Sequence, residues 1–217
     1  MALDPDVICF TEVVRNLIPE GYRIEADPDY GYSHHGERRK VILWSKNPWT
    51  EVDAIGDDEM PTGRFAKGMT GGICFVGVCI PWRDANVNGG RRDRIPWQDH
   101  LAYCRGLGRL LDRYSADETP TCVLGDYNQR IPRVSQPIKV AKALVDAIPA
   151  DFRIVTEGMK DSDGKDIIDH ITVSQGLSVS MTRIVPRYAS DGTRLSDHVG
   201  VYTTLESYKC EPGSPLH

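Results

Sequence analysis

Several chemistries are excluded by what the sequence lacks. No two of its six cysteines stand in a CxxC pair, so the spacing of a structural zinc site is missing. There is no GxSxG, no GxxxxGK[ST] and no HExxH, which removes the usual serine-nucleophile, P-loop and zincin signatures. No apolar run approaches the ~18 residues of a membrane span. The start, "MALDPDVICF", has no basic region, long apolar stretch or small-residue cleavage site, so it does not read as a secretory signal. Internal repeats, low-complexity tracts and long linkers are also missing. A chain of 217 residues is then expected to form one domain over 1–206, with a disordered tail over 207–217. The net charge of −5 provides no global basic field for nucleic acid. Only "GGRRDR" (89–94) is locally basic, as a solvated loop or a phosphate contact. Cys9, Cys74, Cys79 and Cys122 lie in apolar runs and read as buried reduced thiols of a cytoplasmic protein.

What is present is mostly strand. Runs rich in Val, Ile, Thr and aromatics, bounded by Gly, Pro and Asp, occupy 7–10, 22–26, 40–45, 71–80, 121–125, 152–157, 167–174, 177–185 and 199–205. Apolar positions 101, 104, 107, 110, 111 and 114 repeat at the helical period over 99–114, although Gly106 and Gly108 weaken that helix. A second helix is expected over 135–148, with Ser135 as cap and Pro137 in the first turn. "TEVVRNLI" (11–18) reads as a shorter helix stopped by Pro19. Many strands with few, separated helices point to an α/β fold with mixed sheets.

Acids recur where strands begin or end. Glu12 follows "VICF", Asp126 ends "TCVLG", Asp169 lies inside "IIDHITVS", and Asp197 and His198 precede "VGVYTTL". Strand side chains alternate faces, so Asp169 shares a face with Ile167, Ile171 and Val173. An acid on an apolar face costs several kcal/mol unless it is paired or binds a metal. Each acid has a plain structural reading. Gly-Asp-x-Asn is good turn chemistry, Glu12 suits a helix start, and Asp197 with His198 reads as a cap beside a surface histidine. Together the four acid-bearing strand ends suggest one metal or acid–base centre. The residue types suit metal-assisted phosphoester hydrolysis. Carboxylates such as Glu12 hold Mg²⁺, Asp126 orients or deprotonates water, and Asn128 bonds nucleophile and phosphate. His198 stabilises phosphoryl charge, with its imidazole oriented by Asp169.

In order and rough spacing, "DPDVICFTEV", "VLGDYNQR", "IIDHITVS" and "LSDHVGV" resemble the endonuclease/exonuclease/phosphatase superfamily. "RRKVILWSKNPW" is similar to that group's strand ending in a Ser-x-x-Pro turn. The resemblance spans nearly the whole chain. It implies a four-layer sandwich of two mixed β-sheets flanked by helices, with the site at one end. It also implies Glu12 as metal ligand with Asp197 near the metal, Asp126 and Asn128 at the nucleophile, and Asp169 paired with His198. The implied cofactor is Mg²⁺, with Mn²⁺ as substitute, and the implied partner is a phosphoester substrate such as nucleic acid. Two departures stand out. The group's first strand, ending in asparagine, is not in this chain, which starts eleven residues before Glu12. The histidine or tyrosine usual near Cys79 is replaced by "PWRDANV", where Arg83 or Asn86 is available. Arg130 and Arg133 follow the GDYN motif as surface charge or phosphate contacts. Trp82 and Trp97 flank the basic turn as packing or substrate-contact residues, and His34 and His35 read as a solvated loop. The expected activity is that of a nuclease-like phosphodiesterase. The alternative is a non-catalytic, truncated member that binds phosphate or nucleic acid.

Overall fold

The structure, a computed structural model, describes residues 3–31, 36–85 and 95–207. In chain order the elements are β1 (Val7–Val14), β2 (Tyr22–Glu25), β3 (Arg38–Ser45), β4 (Thr50–Asp53), β5 (Phe65–Thr70) and β6 (Ile73–Cys79). Then follow α1 (Gln98–Ala116), β7 (Thr121–Asp126), α2 (Ile138–Asp146), β8 (Phe152–Ile154), β9 (Asp169–Ser174), β10 (Leu177–Val185) and β11 (Gly200–Ser207). His34, His35, Asn86, the "GGRRDR" turn and residues 208–217 lie outside the described residues.

The central sheet has six strands in the order β4-β5-β6-β7-β9-β8. It is mixed because β6 and β7 run parallel while the other pairs are antiparallel. A parallel pair needs a crossover, and the chain between β6 and β7 provides it with α1. Opposite this sheet lie two pieces, β1-β3-β2 and β10-β11. Val41, Leu43 and Ile24 of the first piece, and Val179, Val201 and Leu205 of the second, pack against Phe75, Cys122, Ile171 and Val173 of the large sheet. On its other face the large sheet is covered by both α-helices, with Tyr103, Leu107, Leu110, Leu111 and Leu144 against Val76, Val78 and Val123. This is the layered α/β sandwich expected from the sequence.

Several local expectations change. Residues 11–18 are not a helix: β1 runs on to Val14, paired with β3 as far as Val14↔Arg38, and only a 3-10 turn follows at Arg15–Leu17. Val13 and Val14 suit a strand, and the β3 partner decides between the two states. The run at 71–80 begins as the Gly71–Gly72 turn of the β5–β6 hairpin. β5 itself was hidden because Lys67 and Gly68 interrupt its apolar pattern. Helix α2 starts three residues later than Ser135, with Pro137 at the cap position and no side-chain cap. Gly106, expected to weaken α1, is needed for close approach, since a Cβ there would lie 2.5 Å from Met60 Cγ. Among the described residues no helix is long and apolar enough to cross a membrane.

Candidate active site

β7 carries the chain straight to the site. Gly125 sits at φ 136°, where a Cβ would lie 2.1 Å from Val78 O, so only glycine fits. Tyr127 turns inward, fully buried, and its hydroxyl donates to Thr172 Oγ1 at 2.9 Å. Asn128 takes a left-handed φ of 51°. Its backbone N–H donates to Asp126 Oδ1 and its Nδ2 to Asp126 Oδ2, both at 2.8 Å. Nδ2 also reaches Ile80 O at 2.8 Å. The Asx-type turn is therefore real, and it fixes both oxygens of a buried carboxylate.

Register brings in the second acid. β7 and β9 pair antiparallel with Asp126 directly opposite Asp169. His198, from the loop before β11, places Nδ1 3.2 Å from Asp169 Oδ2. Side-chain donor atoms of Asp126, Asp169 and His198 all lie within 4.8 Å of one another. Burial first, and then the neighbouring Asp169 charge, push the Asp126 carboxyl up to about 8. Burial also raises Asp169, with His198 opposing. The Asp169 carboxylate raises the His198 imidazole to about 9.

The other expected residues lie around this cluster. Glu12, at φ 52°, has a half-exposed side chain whose Oε1 contacts Lys40 Nζ at 2.6 Å. Its charge is felt by Asp126. Asp197 is largely exposed, with Oδ2 3.9 Å from His198 Nε2. Arg83, Arg130 and Asn128 line one cavity of about 600 Å³, together with Trp97 and Lys139. Arg133 turns away, donating to Gln136 O at 3.0 Å. Trp82 is exposed.

Sequence reasoning missed Lys40, Lys139, Gln129 and His100. Lys40 carried a weak signal, as a lysine opening an otherwise apolar strand. Gln129 and His100 carried none, because nothing local indicates that they are buried together.

The donor chemistry fits a hard divalent cation. A buried carboxylate, Asp126, faces a partly buried one, Asp169, whose Oδ2 has no aligned hydrogen bond despite its contact with His198. A cation held there would offset the repulsion between such carboxylates.

The sequence profile of the Endonuclease/Exonuclease/phosphatase family matches residues 2–198. The chain belongs to this family. At the level of the family it is a hydrolytic phosphoesterase of the nuclease and phosphatase group. No curated protein matches it. Among solved structures it is similar to a 3′ phosphatase, NExo, from Neisseria bound to product DNA hairpin, at TM-score 0.67 and 15% identity, covering 93% of this chain and 89% of that one. It is also similar to an AP endonuclease from Archaeoglobus fulgidus, at TM-score 0.66 and 18% identity, covering 93% and 89%. The catalytic domain of Xenopus laevis APE2 gives TM-score 0.63 and 15% identity, covering 95% and 87%. At these identities the likeness speaks to the fold.

Proposed function

We propose that the protein is a divalent-metal-dependent phosphoesterase, most simply a nuclease-like phosphodiesterase, that hydrolyses its substrate by in-line attack of water. The convergence of Asp126, Asp169 and His198, with Asn128 bonded to both Asp126 oxygens, carries this reading. Asp126 orients and deprotonates the attacking water, and Asn128 keeps that carboxylate aimed. Asp169 holds His198 protonated beside the phosphoryl oxygens, where charge accumulates in the transition state. Glu12 and Asp197, with the buried carboxylates, would hold Mg²⁺ or Mn²⁺. When bound, the ion would supply Lewis-acid neutralisation of phosphate charge. Arg83 and Arg130, with Lys139, form a basic wall beside Asn128 for further phosphates of a nucleic-acid strand. The DNA-processing names among the structural neighbours support that substrate class. We assign the domain to residues 1–206 and place it in the cytoplasm.

The Glu12–Lys40 contact favours one second reading, a non-catalytic phosphate or nucleic-acid binder, because a lysine already pairs with the expected metal ligand. A hydrolysis assay with Mg²⁺ separates the two. It compares DNA, abasic DNA, RNA, a sphingomyelin-type lipid and inositol phosphates, with Asp126→Ala as blank. Hydrolysis of any of these that EDTA abolishes supports the enzyme. Binding without turnover across the panel supports the second reading.

A further inference from the structure

Asn128 holds a left-handed conformation, which asparagine tolerates better than most residues with a side chain, and contacts on both sides of it keep the turn in place. Beyond Asn128's own bonds to Asp126 and Ile80, the next residue anchors the turn. Gln129 is 2% exposed and is anchored through both its backbone and its side chain. Its carbonyl lies 3.0 Å from His170 Nε2, and its amide Nε2 lies 2.7 Å from His100 Nε2 and 2.9 Å from Val140 O. Its Oε1 faces the amide of Gln136 at 3.4 Å.

The partners fix the tautomer of His100 and the donor atom of His170. Pro81 O, 2.8 Å from His100 Nδ1, can only accept, so Nδ1 carries the proton and Nε2 accepts from Gln129. Gln129 O can only accept, so His170 Nε2 donates to it, and His170 Nδ1 lies 2.9 Å from Thr156 Oγ1. Thr156 Oγ1 in turn accepts from Ile171 N–H. A ring of contacts then closes around the nucleophile turn. Asn128 binds Ile80 O, Pro81 O binds His100, His100 binds Gln129, and Gln129 follows Asn128. This ring ties the turn to α1, α2 and β9 at once.

We propose that Gln129, clamped between the imidazoles of His100 and His170, is a positioning residue that holds Asn128, and through it Asp126, in reactive geometry. The proposal rests on the phosphoesterase reading above. A glutamine is required because the position must donate to His100 and Val140 while accepting from Gln136. Leucine does neither, and an ionised glutamate cannot donate.

The test uses the full chain as wild type, Gln129→Leu and His170→Phe, the last keeping an aromatic ring against Tyr127. Steady-state kinetics are measured with Mg²⁺ on the best substrate of the panel. Amide hydrogen exchange is measured at Tyr127 and Asn128, which are bonded to Ile168 O and Asp126 Oδ1. The expected result is a fall in kcat on the order of 10²-fold with KM within about twofold. Faster exchange should be confined to the 126–130 turn. Undiminished kcat in both variants of an active wild type overturns the clamp. If the wild type hydrolyses nothing, the phosphoesterase reading fails and the exchange data decide the clamp alone. Unchanged exchange at Tyr127 and Asn128 then overturns it, and a local increase supports it. If Gln129→Leu does not fold, His170→Phe decides by the same readouts.

Discussion

Asp126 is a buried acid whose two oxygens are both bonded to Asn128 and whose neighbour across the strands is another acid. On the proposed reading, protons and a metal ion would compete for this site. The carboxyl is pushed up to about 8, so below that pH the metal-free protein holds it protonated. Binding of Mg²⁺ or Mn²⁺, as proposed, would then release a proton. Metal affinity is expected to rise by up to about tenfold per pH unit toward pH 8 and to level off above it. Calorimetric titrations in buffers of different ionisation enthalpy measure that proton release directly. Lys40 acts in the opposite sense, since its ammonium sits 2.6 Å from Glu12 and repels a cation. Lys40→Met is expected to tighten metal binding, on the order of tenfold. At the reacting centre, Asp126→Ala and His198→Ala are each expected to lower turnover by at least ~10²-fold, with an unchanged far-ultraviolet dichroism spectrum.

At the scale of the element, β7 leads into the candidate site, and its last turn leaves no freedom. Gly125 combines a positive φ with a carbonyl at the place a Cβ would occupy. Gly125→Ala is expected to cost roughly 2 kcal/mol or more, and to reduce turnover further by shifting Asp126. A urea denaturation curve and an activity assay on the same preparation check both. Helix α1 covers the opposite face of the large sheet through Tyr103, Leu107, Leu110 and Leu111. Leu107 is 1% exposed, so Leu107→Ala is expected to cost about 2–5 kcal/mol. β1 illustrates tertiary control of an element. Its continuation through Val14 depends on pairing with β3, a partner more than twenty residues away that no local window contains.

At the scale of the whole molecule, the two buried histidines tie stability to pH. Burial depresses His100 and His170 to about 4, whereas the unfolded chain titrates near 6.5. Between those values the unfolded state binds more protons, so protonation favours unfolding. Their contribution is complete above about pH 6.5 and is lost as pH falls toward 4. Acid-induced unfolding followed by tryptophan fluorescence is expected to steepen across that window. In His100→Gln the pH dependence across the window should be shallower, because one of the two titrating rings is gone.

The acid-rich strand ends could be read in the linear sequence because carboxylates next to β-branched runs are costly unless they serve something. β10 was bounded correctly at 177–185, and the centres of β3, β7, β9 and α1 were legible from their apolar periodicity. β4 and β5 were not, one being short and polar at a sheet edge and the other broken by Lys67 and Gly68. Chain order alone cannot place Asp169 opposite Asp126, because antiparallel register between strands more than forty residues apart is chosen by the packing of both sheet faces. Nor can it assemble Gln129 with His100 and His170, which come from a turn, a helix and a strand. The sequence by itself determined which residue types could do the chemistry and that they lie near strand ends. Tertiary structure decided which of them meet and which turn holds them, because contacts between distant segments exist only once the sheets have paired.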